Sequence, residues 1–181
     1  MDGGAKGSMK GTMKGISVWI WVIGGIIVGF ILLTVFLQLV SYITRTREVE
    51  IAKGSFGELA TNARTICQTI AGSGASRLDR KFTFPQSVSD IFSVNTTATT
   101  EIPTGEKSYG RMICMKVYEE FVCEDVACNV ELNNIKNRET LTTTINRILG
   151  RIGTNEYELK IIKTPCGVAI LKPEMGSSCH E

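Results

Sequence analysis

The chain has 181 residues, and its 20 basic and 18 acidic side chains leave a formal charge of +2 with no basic cluster. That balance gives no reason to expect nucleic acid as a partner. About 110 residues follow Ala71, enough for one domain of ordinary size with a modest core.

Residues 1–15, MDGGAKGSMKGTMKG, form a short leader of lysine, glycine and methionine that cannot fold alone. Residues 16–40, ISVWIWVIGGIIVGFILLTVFLQLV, then run without a charge, and Ser17, Thr34 and Gln38 supply the polar side chains. As a helix the run reaches roughly 37 Å, more than the ~30 Å hydrocarbon core of a bilayer. A core helix of a soluble protein seldom runs so far without a polar face, so the expectation is a transmembrane helix. The run is too long for a conventional secretory signal and leads into Ser41-Tyr42 rather than a small-residue cleavage site. Within it, Gly25 and Gly29 form a G-x-x-x-G, widened by Gly24, which lets a second helix approach closely.

Past the run, Val49, Ala52, Phe56, Leu59, Ala63, Ile66 and Ile70 recur at heptad spacing. Arg47, Glu48, Glu50, Lys53, Glu58, Asn62 and Arg64 fall between them and are expected to form the wet back of an amphipathic stem helix. Gly54 and Gly57 weaken that helix and could kink it, and the cluster Ala71-Gly72-Ser73-Gly74 should end it. The stripe is expected to pack against the chain's own head; the alternative is an ordinary anchor with a helical linker, or a dimeric coiled coil.

The remainder reads as a β-rich head. Lys81–Phe84, stopped by Pro85, and Val88–Val94 are expected strands, followed by the threonine-rich loop Asn95–Gly105. Arg111–Val117 and Glu120–Val126 form an expected hairpin about Tyr118-Glu119, whose register places Cys114 opposite Cys123. A separate strand Cys128–Leu132 follows, then a short amphipathic helix marked by Leu141, Ile145, Ile148 and Leu149 and closed by Gly150. Tyr157–Ile161 and Val168–Leu171, joined through Thr164-Pro165-Cys166-Gly167, make the clearest hairpin in the chain.

Six cysteines, Cys67, Cys114, Cys123, Cys128, Cys166 and Cys179, all follow the apolar run. An even count in a small domain beside a membrane points to disulfides and an oxidising exterior, although hyperthermophiles also carry them inside the cell. Fifteen pairings are open; one from Cys67 into the head would fasten the stem to it. Zinc is disfavoured, because the closest spacing is Cys123 to Cys128 and the one histidine, His180, is next to last. Lys6, Lys10 and Lys14 before the run balance Arg45, Arg47 and Lys53 after it, so positive-inside counting is a tie. The cysteines, together with the glycosylation sequon at Asn95, favour an outer C-terminal domain. No nucleophile motif, P-loop or dinucleotide fingerprint occurs, and the acid pairs Glu119-Glu120 and Glu124-Asp125 read as solvated surface. Neither an enzyme nor a cofactor or metal site is expected.

Lys14-Gly15 directly ahead of the long apolar run resembles the class III signal of archaeal type IV pilins and archaellins, over roughly residues 13–70. The resemblance implies cleavage between Gly15 and Ile16 by a prepilin-type peptidase, self-association through the N-terminal helix, and handling by pilus assembly machinery. Ile20 occupies the fifth mature position, where many bacterial pilins carry glutamate; archaeal relatives frequently do without that acid. The expected fold is α+β: a long N-terminal transmembrane and stem helix packed on a small antiparallel β head with one short helix. Its divisions are 1–15 leader, 16–40 transmembrane helix, 41–71 stem and 72–181 head. The expected function is that of a pilin-like cell-surface structural protein, a subunit or minor component of a type IV pilus-like filament with an adhesive head. The alternative is a single-pass membrane-anchored extracytoplasmic binding or envelope protein, viral ones included, that forms no filaments.

Overall fold

The computed structural model describes residues 12–69, 77–95, 102–137 and 152–177. It opens on one α-helix, α1 (Thr12–Gln68), followed by strands β1 (Arg77–Pro85), β2 (Val88–Val94), β3 (Lys107–Val117), β4 (Glu120–Asn133), β5 (Ile135–Lys136), β6 (Thr154–Thr164) and β7 (Gly167–Leu171). The chain divides into two units, Met1–Tyr42 and Ile43–Glu181, so the stem half of α1 belongs with the head. The helix expected at Leu141–Gly150 lies outside the described residues.

In the first unit α1 exposes Val18, Trp19, Trp21, Phe30, Leu33 and Phe36 alike, so the apolar surface goes all round. No stripe distinguishes an inside from an outside here, which is the pattern of a helix surrounded by lipid or by other helices.

In the second unit the helix acquires a face. Ala52, Phe56, Leu59, Ala63 and Ile66 are buried against the sheet, and Val49 and Cys67 pack at the margin. The 3-4 spacing keeps these positions on one side of the cylinder. Helix and sheet together form an α+β fold. One expectation fails at Glu48, assigned to the wet back but only 5% exposed, with Thr44 at 6%. Thr44, Glu48 and Ala52 lie four residues apart, so they extend the buried stripe one further row. Gly54 and Gly57 leave α1 a single helical element, and a Cβ added at either would meet nothing within 4 Å. The helix ends at Gln68, with the Thr69 amide donating to the Ile66 carbonyl at 3.2 Å.

Among the described residues the strands form one sheet in the order β1-β6-β7-β4-β3-β2-β5. Its pairs are antiparallel, as expected, except β4 with β7, which run parallel and make the sheet mixed. Alternation aims Phe82, Phe84, Ile113, Met115, Leu159, Ile161, Val168 and Ile170 into the core under α1. Phe92, Val94 and Cys114 form a smaller cluster with Ile102, Met112 and Cys123.

The separate strand expected at Cys128–Leu132 is instead the second half of β4. What interrupts the pattern is a bulge. Met112 opposes Asp125 and Gly110 opposes Val130, so β4 carries three more residues than β3 between those pairs. The Asp125 carboxylate accepts from the Ala127 amide at 2.7 Å, and Ala127 has φ 68°. A short polar side chain folding back on its own backbone and one left-handed residue are the usual means of such a break. Across from it Gly110 is needed, because a Cβ there would lie 2.1 Å from the Val94 carbonyl carbon.

Candidate functional site

Three parts of the molecule concern function: the bare apolar helix, the fastening of the stem to the sheet, and a cleft beside Arg45.

The helix is long and apolar enough to cross a membrane, with none of its most apolar stretch buried. A Cβ built on Gly24, Gly25 or Gly29 meets nothing within 4 Å, so these positions are open to an approaching partner helix. Lys14, Gly15 and Ile16 fall within α1.

The stem is fastened at both ends of its buried stretch. Near its C-terminus Cys67 is bonded to Cys128 on the β4 bulge, Cα to Cα 6.3 Å. The ammonium of Lys163, on β6, donates to the Cys67 carbonyl, and a cation there also complements the negative end of the helix dipole. Arg64 donates to the Asp125 carbonyl and lies 3.5 Å from Glu124, so it grips the same bulge. Arg80 of β1 pairs with Glu58 at 2.8 Å, but both ends are about half exposed and the pair adds little.

Near the start of the second unit the fastening is polar. The Tyr118 hydroxyl donates to the buried Glu48 carboxyl, and the Arg45 guanidinium lies over the Tyr118 ring, 4.7 Å from its centroid. Tyr118 is the first residue of the β3–β4 turn and takes φ 53°, a left-handed conformation that a bulky side chain adopts rarely. Its place in the cluster with Glu48 and Arg45 supplies contacts that offset this conformation. Sequence reasoning missed the cluster; the available signal was Glu48 standing four residues ahead of Ala52.

Cys114 and Cys123 oppose each other in the β3–β4 register and are bonded, Cα to Cα 4.1 Å. Cys166 is disulfide-bonded as well, while Cys179 lies outside the described residues. Asn95 is exposed at the end of β2, and the rest of its sequon, Thr96 and Thr97, lies outside the described residues. Among the described residues no group of three or more His, Cys, Asp or Glu could hold a metal ion. On the exposed edge strand, a hydrogen bond to Asp79 at 2.8 Å, and that carboxylate's charge, raise the Arg77 guanidinium above its ordinary value.

Buried polar groups also tie the end of the chain to the sheet. Glu131, 7% exposed, accepts from Lys107 at 2.8 Å and from the Ser177 hydroxyl at 2.9 Å, while Lys107 also reaches the Gly176 carbonyl at 3.1 Å. The remaining feature is a cleft of about 420 Å³ between the turns at Gln86-Ser87 and Tyr118-Glu119, with Arg45 and Lys116 on its walls.

No protein-family model, curated protein or solved structure matches the chain.

Proposed function

We propose that the chain is a pilin-like cell-surface structural protein, a subunit or minor component of a type IV pilus-like filament. The supporting observation is the two-sided character of α1. Its first half is exposed and apolar on every side, whereas its second half buries one stripe on a sheet and is tied there through Cys67 and Cys128. A helix of that kind can hold an unassembled subunit in a membrane and then exchange lipid for neighbouring helices, because both surroundings accept an apolar cylinder. Gly25 and Gly29 would be the points of closest approach, and the disulfide-bonded head, outside the membrane, would be displayed for adhesion. The acting partners on this reading are the membrane, further copies of the chain, a prepilin-type peptidase and an assembly machinery.

The test is the mature amino terminus of the native protein, measured by intact mass and terminal peptide mapping from membranes and from sheared surface material. A start at Ile16 in the sheared fraction supports the filament subunit. An intact leader, with the protein confined to membranes, refutes it and leaves a permanent single-pass anchor carrying an outer domain.

A further inference from the structure

A pocket of about 190 Å³ lies where the start of β3 and the end of β4 meet the segment after β7, with Thr104, Glu106, Asn133, Lys136, Lys172 and Met175 around it. It belongs wholly to the second unit. Its floor is buried and its rim is charged. Asn134 on the floor is fully used: its Oδ1 accepts from the Ser108 hydroxyl and its Nδ2 donates to the Gly105 carbonyl at 2.8 Å. Asn133, which closes β4 opposite Lys107 and is 3% exposed, is not. Its Nδ2 faces the Met175 sulfur and its Oδ1 has no partner. A thioether is a weak acceptor, and turning the amide over only exchanges the atom left alone, so this buried carboxamide is unsatisfied in either orientation. A buried polar group in that condition asks for a partner.

The rim defines what the partner carries. The Lys136 ammonium donates to the Thr104 carbonyl at 3.3 Å and keeps two further N–H groups. Lys172 and Glu106 are exposed, line the same pocket, and form no ion pair among the described residues. Two ammonium groups call for an anion. Asn133 calls for a group that donates and accepts at once, which is a hydroxyl, and Glu106 accepts from a second one. A bare carboxylate or a neutral sugar meets only half of this set.

We propose that the pocket binds a hydroxylated carboxylate, the chemistry of a uronic acid, with its carboxylate on Lys136 and Lys172 and its hydroxyls on Asn133 and Glu106. That group occurs as a unit of acidic polysaccharides and as a free sugar acid, and both offer the same contacts. Binding does not depend on the filament reading; on that reading it is the adhesive contact of the head.

The test titrates the full chain in detergent by isothermal calorimetry with galacturonate, galactose, acetate and trigalacturonate. From the free energy that small ligands gain per atom, galacturonate should bind with a dissociation constant of about 1 mM, and galactose and acetate at least tenfold more weakly. Acetate binding as well as galacturonate, or no saturation by galacturonate at about 10 mM, overturns the proposal. Asn133→Leu keeps the side chain's size and gives up only the contact with Met175, so it should weaken galacturonate by about tenfold while Tm holds or rises, which a carboxamide serving the fold would not allow. Lys172→Gln should weaken binding by about threefold, and Glu106→Gln, which keeps an acceptor but removes the opposing charge, should strengthen it by about threefold. If Asn133→Leu lowers Tm, these two exposed positions decide, and indifference of both overturns the site. Trigalacturonate binding at least as tightly as galacturonate assigns the pocket to a polysaccharide; its rejection assigns the pocket to the free sugar acid. An intact leader on the mature chain removes the adhesive role and leaves the pocket standing.

Discussion

Removing one oxygen from Tyr118 probes how the stem is held. In Tyr118→Phe the ring remains beside Arg45 and the left-handed turn is unchanged, so the chief loss is the hydrogen bond to Glu48. Because Glu48 is only 5% exposed, water cannot replace the lost donor without the helix lifting from the sheet. A hydrogen bond to a charged or buried acid is worth about 1.5–3 kcal/mol, and leaving the acceptor unsatisfied places the cost toward the middle of that range, about 2 kcal/mol. For the 139 residues from Ile43 to Glu181 this corresponds to a fall in Tm of roughly 6–10 °C. The assay is thermal unfolding of the full chain in detergent, followed by near-ultraviolet circular dichroism with the disulfides intact. The double variant Glu48→Leu, Tyr118→Phe removes acceptor and donor together and should recover at least half of the loss, a non-additivity of about 1 kcal/mol. A Tyr118→Phe loss below about 0.5 kcal/mol, or strictly additive behaviour in the cycle, would refute the assignment of Glu48 as a buried acid dependent on Tyr118.

Other consequences concern the cross-links, the bulge and the bare helix. Replacing Cys67 and Cys128 by serine opens a loop of separation 61 and should cost about 4 kcal/mol, against about 2.5 kcal/mol for Cys114 and Cys123 at separation 9; denaturant titration of the two double variants checks the order, which follows from chain entropy alone. Gly110→Ala drives a methyl to 2.1 Å from the Val94 backbone, so the β2–β3 ladder must shift; a loss of about 3 kcal/mol and faster amide exchange across β2 are expected, and wild-type exchange would contradict it. Gly25→Leu with Gly29→Leu fills the open helix face and should abolish close helix pairing, read as lost cysteine-free cross-linking yield in membranes, with unfolding of the head unchanged.

Local pattern was enough for the elements that carry their own signal. A charge-free run of 25 residues, followed by a stripe at heptad spacing, specifies a helix that is apolar all round and then one-sided. Strict alternation in Tyr157–Ile161 and the turn at Thr164–Gly167 specify the β6–β7 hairpin, and the two-residue turn at Tyr118-Glu119 sets Cys114 against Cys123. These features depend on neighbours close in the chain, where side-chain period and turn length leave few choices. Tertiary structure decided the rest. The parallel pairing of β4 with β7 joins segments some forty residues apart, and no local period encodes a partner at that distance. The break at Ala127 looks in sequence like a gap between strands, because an Asx turn and a strand end use the same residue types. Which of the five other cysteines joins Cys67 depended on the β4 bulge bringing Cys128 beside the helix end. Glu48 shows the same limit from the other side. Its chemistry suggests solvent and its position on the helix suggests the core, and the hydroxyl that reconciles the two comes from a residue 70 positions away.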